Sequence, residues 1–202
     1  MIDIDPNELT NPERYKLLIG SVVPRPIAFV STISPEGIAN LAPFSFFTGV
    51  CSNPITLAFC PGIRSSDGKR KDTLNNIEAT GECVVHIVTE AIAEQMNMTA
   101  AEFPPNISEF EKSGLTPIPS IKVKPPRVKE SPIQIECKLH QIVTLGETVG
   151  SGSLVIVQAV YLHFSPEVYE DGKILLNALH PIARLAGNSY AKVTETFDLE
   201  RP

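Results

Sequence analysis

Residues 24–47 read Pro24-Arg25-Pro26-Ile27-Ala28-Phe29-Val30-Ser31-Thr32-Ile33-Ser34-Pro35-Glu36-Gly37-Ile38-Ala39-Asn40-Leu41-Ala42-Pro43-Phe44-Ser45-Phe46-Phe47, and this stretch decides the fold. Ile27, Phe29, Val30 and Ile33 suit a strand with a mostly buried face. Ser34-Pro35-Glu36-Gly37 has the composition of a tight turn: proline presets φ, and glycine accepts a positive φ. The chain then returns as a second strand, Ile38 to Phe47, interrupted by Pro43. A proline cannot donate to a strand ladder, so a bulge or a sheet edge is expected there. Such a break leaves main-chain groups near Asn40 and Ser45 free to meet a ligand; a purely structural hairpin satisfies the same pattern.

Outward from the hairpin, Ile55 to Cys60 is a β-rich run stopped by Pro61-Gly62. Arg64 to Lys71, RSSDGKRK, is a polar loop with four basic residues. Asp72 or Thr73 then caps a short helix through Ala79, closed by Gly81, and Cys83 to Val88 is another strand. Upstream, Asn11-Pro12-Glu13 starts a helix with Asn11 as its cap; Tyr15, Leu18 and Ile19 share a face, and Gly20 ends it. Thr89 to Phe103 reads as one helix ended by Pro104-Pro105, and Ser108 with Glu111 forms a capping box for another turn. Leu115 to Pro126 is proline-rich, either an extended surface connection or a flap over a ligand. Ile133 to Leu145 and Ser153 to Phe164 are long strands, and a last strand starts at Tyr190. The second long strand is apolar on both faces, which suits a barrel closed against a partner subunit or a covering helix.

These elements predict a mainly β protein, a β-barrel with a few peripheral helices, forming one domain over residues 1–202. A net charge of −6 argues against a general nucleic-acid binder, while a local basic patch remains able to hold one phosphate. No apolar run reaches membrane-span length, and residues 1–20 lack a signal-peptide core, so a cytoplasmic protein without membrane contact is expected. Cys51, Cys60, Cys83 and Cys137 form no Cys-x-x-Cys pair and adjoin no histidine cluster; they read as thiols in or near the core, without a metal.

The best candidate for chemistry is Arg70-Lys71-Asp72-Thr73. Two cations, a hydroxyl and the first N–H groups of a helix are what a phosphate requires. A solvated charged loop followed by a capped helix is the alternative. Gly-x-Gly-x-x-Gly, Walker and Gly-x-Ser-x-Gly motifs are absent. His86, His140 and His163 fall in strand runs, where a structural role is the default.

RPIAFVST, the Ser-Pro-x-Gly turn and ANLAPFSFF, followed by CSNPITLAFCPG, RKDTLNNI, ECVVHIV and HPIARLAGNSYA, resemble the flavin reductase-like family of FMN-binding split barrels, which includes flavoredoxin-like proteins and component B-like reductases of nitrilotriacetate monooxygenase. The resemblance covers most of the chain. It implies a Greek-key split β-barrel, a homodimer, and FMN (rather than FAD) in a groove at or beside the subunit interface. It implies that Lys71, Asp72 and Thr73, with Arg64 or Ser66, hold the phosphate and ribityl chain, and that Ser31, Thr32, Asn40, Ala42, Phe44 and Ser45 meet the ring. Arg25, fixed between two prolines, reaches the cofactor or an ion pair. The loop with His180, Arg184 and Tyr190 lies, by the same likeness, on the substrate side where a nicotinamide would stack. The implied activity is NAD(P)H-dependent flavin reduction supplying reduced flavin to a partner monooxygenase or redox protein, with no acid–base dyad needed because the flavin carries the electronic burden. An FMN electron carrier with little reductase activity, and a non-enzymatic flavin-binding protein, are the rivals.

Overall fold

The computed structural model describes residues 1–200. The quoted hairpin is β1 (Ala28–Ile33) and β2 (Ala39–Phe44), paired antiparallel from Ala28 opposite Phe44 to Ile33 opposite Ala39. Its turn closes as expected: Gly37 has φ 89° and donates its N–H to Ser34 O at 2.9 Å. The chain continues through β3 (Phe47–Ser52), β4 (Ile55–Phe59), α2 (Asp72–Thr80) and β5 (Glu82–Ile87), preceded by α1 (Asn11–Ser21). Then come α3 (Ala93–Met98), α4 (Glu109–Ser113) and the short pair β6 (Pro117–Ile118) and β7 (Arg127–Val128). The long strands β8 (Ile133–Thr144) and β9 (Ser153–Phe164) follow, then β10 (Tyr169–Glu170), β11 (Lys173–Ile174), α5 (Leu176–Leu179), β12 (Ile182–Arg184) and β13 (Tyr190–Lys192).

Seven strands form one antiparallel sheet in the order β2-β1-β5-β8-β9-β4-β3. Its two edge strands, β2 and β3, are consecutive in the chain and separated only by Ser45 and Phe46. Edges joined by so short a link force the sheet to curl until they nearly meet, which leaves a barrel split along one seam. The interior holds Val30, Phe44, Phe59, Val85, Cys137, Val155 and Val157, with Leu74 and Ile77 of α2 packed among them. Phe44 and Phe59 meet across the seam with ring centroids 5.4 Å apart. The outer face of β1 and β2 is buried separately: Phe29 and Leu41 pack with Ile92, Met96 and Phe110 beneath α3 and α4.

Pro43 lies in β2 opposite Phe29 without a register shift, so the edge reading holds and the bulge reading does not. Pro43 shares the parity of Leu41, whose N–H points off the sheet edge, so the missing donor costs no ladder bond. Elsewhere the structure moves several expected boundaries. Thr10, rather than Asn11, caps α1: its N–H and hydroxyl both bond Glu13. Of the apolar α1 face only Ile19 is buried. Phe47, expected to end the second strand, instead opens the separate strand β3, Phe47–Ser52. The single helix expected over 89–103 breaks into a 3-10 turn (Glu90–Ile92) and α3, and residues 99–103 leave helical structure altogether. Ser108 precedes α4 without a side-chain cap, so no capping box forms.

Among the described residues no helix is long and apolar enough to cross a membrane.

Candidate functional site

A cleft opens where the barrel is split. Its floor is Asn40, Ala42, Pro43 and Phe44 of β2; one wall is Arg64 with Lys71, Asp72 and Thr73, and the other is Thr99–Phe103 with Glu109. It is a narrow cleft of about 80 Å³ that opens to solvent at its mouth. Strand parity explains the floor. Asn40, Ala42 and Phe44 lie opposite Thr32, Val30 and Ala28, on the face that α2 covers.

The wall with the cations is built by the loop before α2. Lys71 is the N-cap of that helix, and its carbonyl accepts the N–H groups of Leu74 and Asn75. The N–H groups of Asp72 and Thr73 therefore have no helical acceptor, and they add their dipoles to the two side-chain cations at the cleft. Arg64 is bound to Asp67 at 3.1 Å and lies 3.7 Å from Asp72. Lys71 Nζ is 3.5 Å from Glu102 on the opposite wall, and Ser66 Oγ donates to the same carboxylate. The Ser66 hydrogen bond holds the Glu102 carboxyl below its ordinary value; burial opposes it, and Lys71 and the Arg64 charge add to the lowering.

Behind the floor runs a closed polar network. Both Glu109 carboxylate oxygens accept from Asn40 Nδ2 at 2.8 Å, and one accepts the edge N–H of Leu41 at 2.9 Å. Asn40 Oδ1 accepts from Thr73 Oγ1 at 2.8 Å and from Thr32 Oγ1 at 3.3 Å, and Thr32 accepts from Asn76 Nδ2 at 3.0 Å. Burial pushes the Glu109 carboxyl up, and these donors offset that only in part. Because a carboxylate can only accept, Glu109 fixes which way the Asn40 amide faces. The Thr73 proton is thereby committed to Asn40, and Thr73 offers lone pairs rather than a donor to the cleft.

The expected site residues thus separate. Asn40, Ala42, Phe44, Arg64, Lys71, Asp72 and Thr73 line the cleft together, and Ser66 reaches it through Glu102. Thr32 sits one layer behind, against Asn76 and Asn40. Ser31 points to the opposite face of the sheet and donates to Pro126 O, as strict alternation with Thr32 demands. Arg70 turns away to Glu78 at 2.8 Å. Arg25 forms neither a cleft contact nor an ion pair. Its guanidinium donates to the carbonyls of Ile19 and Val22 at the end of α1 and of Leu185, at 2.6–2.9 Å, and Ser45 Oγ stands 3.4 Å from its Nε. Burial lowers its pKa. Arg184 stacks on Tyr190 at 4.5 Å, and the Tyr190 hydroxyl donates to Asn97 of α3. With the exposed His180 they stand outside the cleft.

The wall residues Thr99–Phe103 and Glu109 escaped sequence reasoning. The helix period of Thr89–Phe103 runs through 99–103, and Glu109 gives no signal beyond a carboxylate near a helix start. The proline-rich 115–126 segment is no flap over this cleft. Glu136 accepts backbone N–H groups from Ile121, Lys122 and Val123 and ties that segment to β8.

A second, wider cleft of about 460 Å³ adjoins the first and shares Asn40, Asp72 and Glu109 with it. It carries the carboxylates of Glu36, Asp72 and Glu109, and no lysine or arginine lines it.

Residues 19–180 match the family model described as flavin reductase like domain. The fold superposes on nitrilotriacetate monooxygenase component B from Bacillus cereus with TM-score 0.94 at 43% identity, covering 98% of each chain. It superposes on the 2-nitrobenzoate 2-nitroreductase of Pseudomonas fluorescens with TM-score 0.89 at 33% identity, over 100% of this chain and 96% of that one. A split-barrel-domain protein from Shewanella frigidimarina NCIMB 400 gives TM-score 0.83 at 26% identity, over 97% and 96% of the two chains. The curled, mainly β sheet and its seam are the split barrel, and the chain belongs to the flavin reductase-like family.

Proposed function

We propose that the cleft holds FMN and that the chain is an NAD(P)H-dependent flavin reductase. The observation that carries this is the meeting, at the open edge of one strand, of two cations and the first N–H groups of α2 with the hairpin floor. Among the described residues no buried side-chain nitrogen or oxygen lacks a partner, so the fit rests on the chemistry of the donor set. Arg64, Lys71 and the Asp72 and Thr73 N–H groups suit a phosphate; the committed Thr73 hydroxyl suits a hydroxyl donor of a ribityl chain. Asn40, Ala42 and Phe44 would lie along the ring. The second cleft favours FMN over FAD, because its three carboxylates repel the further phosphate and adenylate that FAD would extend. A flavin bound there supplies acceptance of a hydride from the nicotinamide, and the protein's part is to orient and shield it.

His180, Arg184 and Tyr190 remain the substrate-side candidates in this reading, joined through Asn97 to the element that leads into the 99–103 wall. The product is reduced flavin for a monooxygenase or another redox protein. The exposed apolar side chains Val50, Ile55, Val160 and Tyr161 on β3, β4 and β9 would be covered in a homodimer.

The test is an absorption titration of the protein with FMN and FAD, followed by NADH and NADPH oxidation with and without FMN. Tighter binding of FMN than FAD and flavin-dependent oxidation are expected. Absence of flavin binding, or of oxidation by either nucleotide, overturns the reading. Light scattering at micromolar concentration checks the dimer.

A further inference from the structure

The donors expected to hold a phosphate are already engaged. Lys71 Nζ faces Glu102 Oε1 at 3.5 Å, and Ser66 Oγ donates to Glu102 Oε2. Ser66 and Lys71 belong to the loop that leads into α2, while Glu102 belongs to the irregular wall that follows α3. A side chain from one wall of the cleft therefore places an anion among the cations and hydroxyl of the other. Arg64, the second cation of this corner, is occupied by Asp67 and Asp72.

We propose that Glu102 is a specificity-determining residue whose carboxylate occupies the phosphate seat and yields it only to a ligand that brings a phosphoryl group. This rests on the FMN reading above and deepens it. A carboxylate presents two acceptor oxygens and one negative charge; a phosphate monoester presents three oxygens and more charge, so it can outcompete the side chain for Lys71 and Ser66. A neutral flavin without a phosphate has nothing to offer these donors and leaves Glu102 in place. Thr99, Ala100 and Ala101 turn back onto α3 through their main-chain N–H groups, but Glu102 lies beyond these bonds, so releasing its side chain breaks none of them. The Glu102 and Lys71 side chains are each about one-third exposed, so the released carboxylate moves into water rather than into the core. Exposure also makes the ion pair itself weak, which an exchangeable contact requires.

The expected signature is a gain of affinity on removing a charge. Glu102→Gln keeps the length and a hydrogen-bonding group for Ser66 but ends the competition. FMN should bind about tenfold more tightly to this variant, while riboflavin affinity stays within about twofold. Lys71→Ala should cost more FMN affinity in the Glu102→Gln background than in the wild type, because Lys71 is then no longer shared. Fluorescence titration of both flavins with the four proteins measures this, and circular dichroism confirms that each is folded. An unchanged or weaker FMN affinity in Glu102→Gln overturns the proposal and gives Glu102 a role in positioning Lys71 instead. If neither wild type nor variant binds any flavin, the FMN reading fails on its own. Glu102 is then judged with inorganic phosphate by calorimetry, where tighter binding by the variant sustains the proposal and equal binding refutes it.

Discussion

The two faces of the sheet treat ionisable groups in opposite ways. On the far side from the cleft, His86 and Glu136 are fully buried, and main-chain groups satisfy most of their hydrogen-bonding capacity. His86 Nδ1 bonds Phe29 O at 2.7 Å, and Val128 N–H donates to Nε2 at 2.9 Å; this fixes a neutral ring with its proton on Nδ1. Glu136 accepts from Ile121 N at 2.8 Å, from Val123 N at 3.2 Å and from His163 Nε2 at 2.7 Å. On the cleft side, Arg64, Lys71 and Glu102 sit on irregular segments and are partly exposed; Lys71 pairs with Glu102, and Arg64 with Asp67 and Asp72. A perturbed pKa is often taken as the mark of a functional site. In this molecule the clearest downward shift of a histidine marks an anchor, and the groups that can exchange partners are among the less buried ones.

Replacing Glu136 should give the largest effect. Glu136→Leu leaves three main-chain N–H groups and His163 without their acceptor in a buried place, a loss of roughly 3–5 kcal/mol of stability by urea denaturation. Glu136→Gln retains an acceptor oxygen and should lose distinctly less. In both, the ratio of FMN to riboflavin affinity should stay as in the wild type. A change in that ratio would mean that the two faces are coupled.

Acid should probe the same face. Burial lowers the His86 pKa from 6.5 to about 4, so between those values the unfolded chain binds the extra proton and stability rises with pH. The contribution is fully present above pH 6.5 and is lost as pH falls toward 4, roughly 3 kcal/mol in all. Glu136 acts in the same direction at lower pH. Burial alone would raise its carboxyl, but the hydrogen bonds from Ile121, His163 and Lys122 outweigh this and hold it below its ordinary value. Denaturation midpoints measured from pH 7.5 to 4 should fall in the wild type. In His86→Gln the slope between pH 6.5 and 5 should flatten, and an unchanged slope would assign the acid sensitivity elsewhere.

On the cleft side the effect should appear in binding, not stability. Lys71→Ala removes a charge-assisted contact worth roughly 1.5–3 kcal/mol, about tenfold to a hundredfold in FMN affinity. Riboflavin affinity and the thermal midpoint should scarcely move. A parallel loss for both flavins would make the loop structural and erase the contrast between the faces.

This contrast also explains what the sequence could and could not disclose. The hairpin, the positive φ at Gly37 and the long strands β8 and β9 were legible because each depends on local backbone chemistry or strict alternation. The cations before α2 were legible because a helix N-terminus after basic residues is a local pattern. Glu102 and Glu109 were not, since each meets its partners across 31 or more residues of chain, Lys71 in one case and Asn40 in the other. The helix expected through residue 103 also hid the wall, for nothing in the Thr89–Phe103 pattern forbids a helix until Pro104. Arg25 misled for a related reason. Its flanking prolines correctly implied a stiff backbone, but the carbonyls it binds lie at the end of α1 and 160 residues away at Leu185.

The smallest effect tests the boundary itself. Ser31 and Thr32 are neighbours on β1, and alternation sends them to opposite faces. Thr32 stands in the network behind Asn40, whereas the Ser31 hydroxyl donates to Pro126 O at the far face. Ser31→Ala therefore strands one carbonyl, and about 1 kcal/mol of stability should be lost. Flavin affinity should be unaffected, because no atom lost in the substitution lies on the cleft side. Thr32→Val, nearly the same shape, removes the acceptor for Asn76 and a donor to Asn40 from the network that orients Thr73. Riboflavin affinity should fall with this change if the Thr73 lone pairs receive a ribityl hydroxyl, since a loosened Asn40 no longer dictates where the Thr73 proton points. Paired titrations of the two variants with riboflavin give the answer. A loss in Ser31→Ala and none in Thr32→Val would reverse the assignment of the faces and move the flavin to the other side of the sheet.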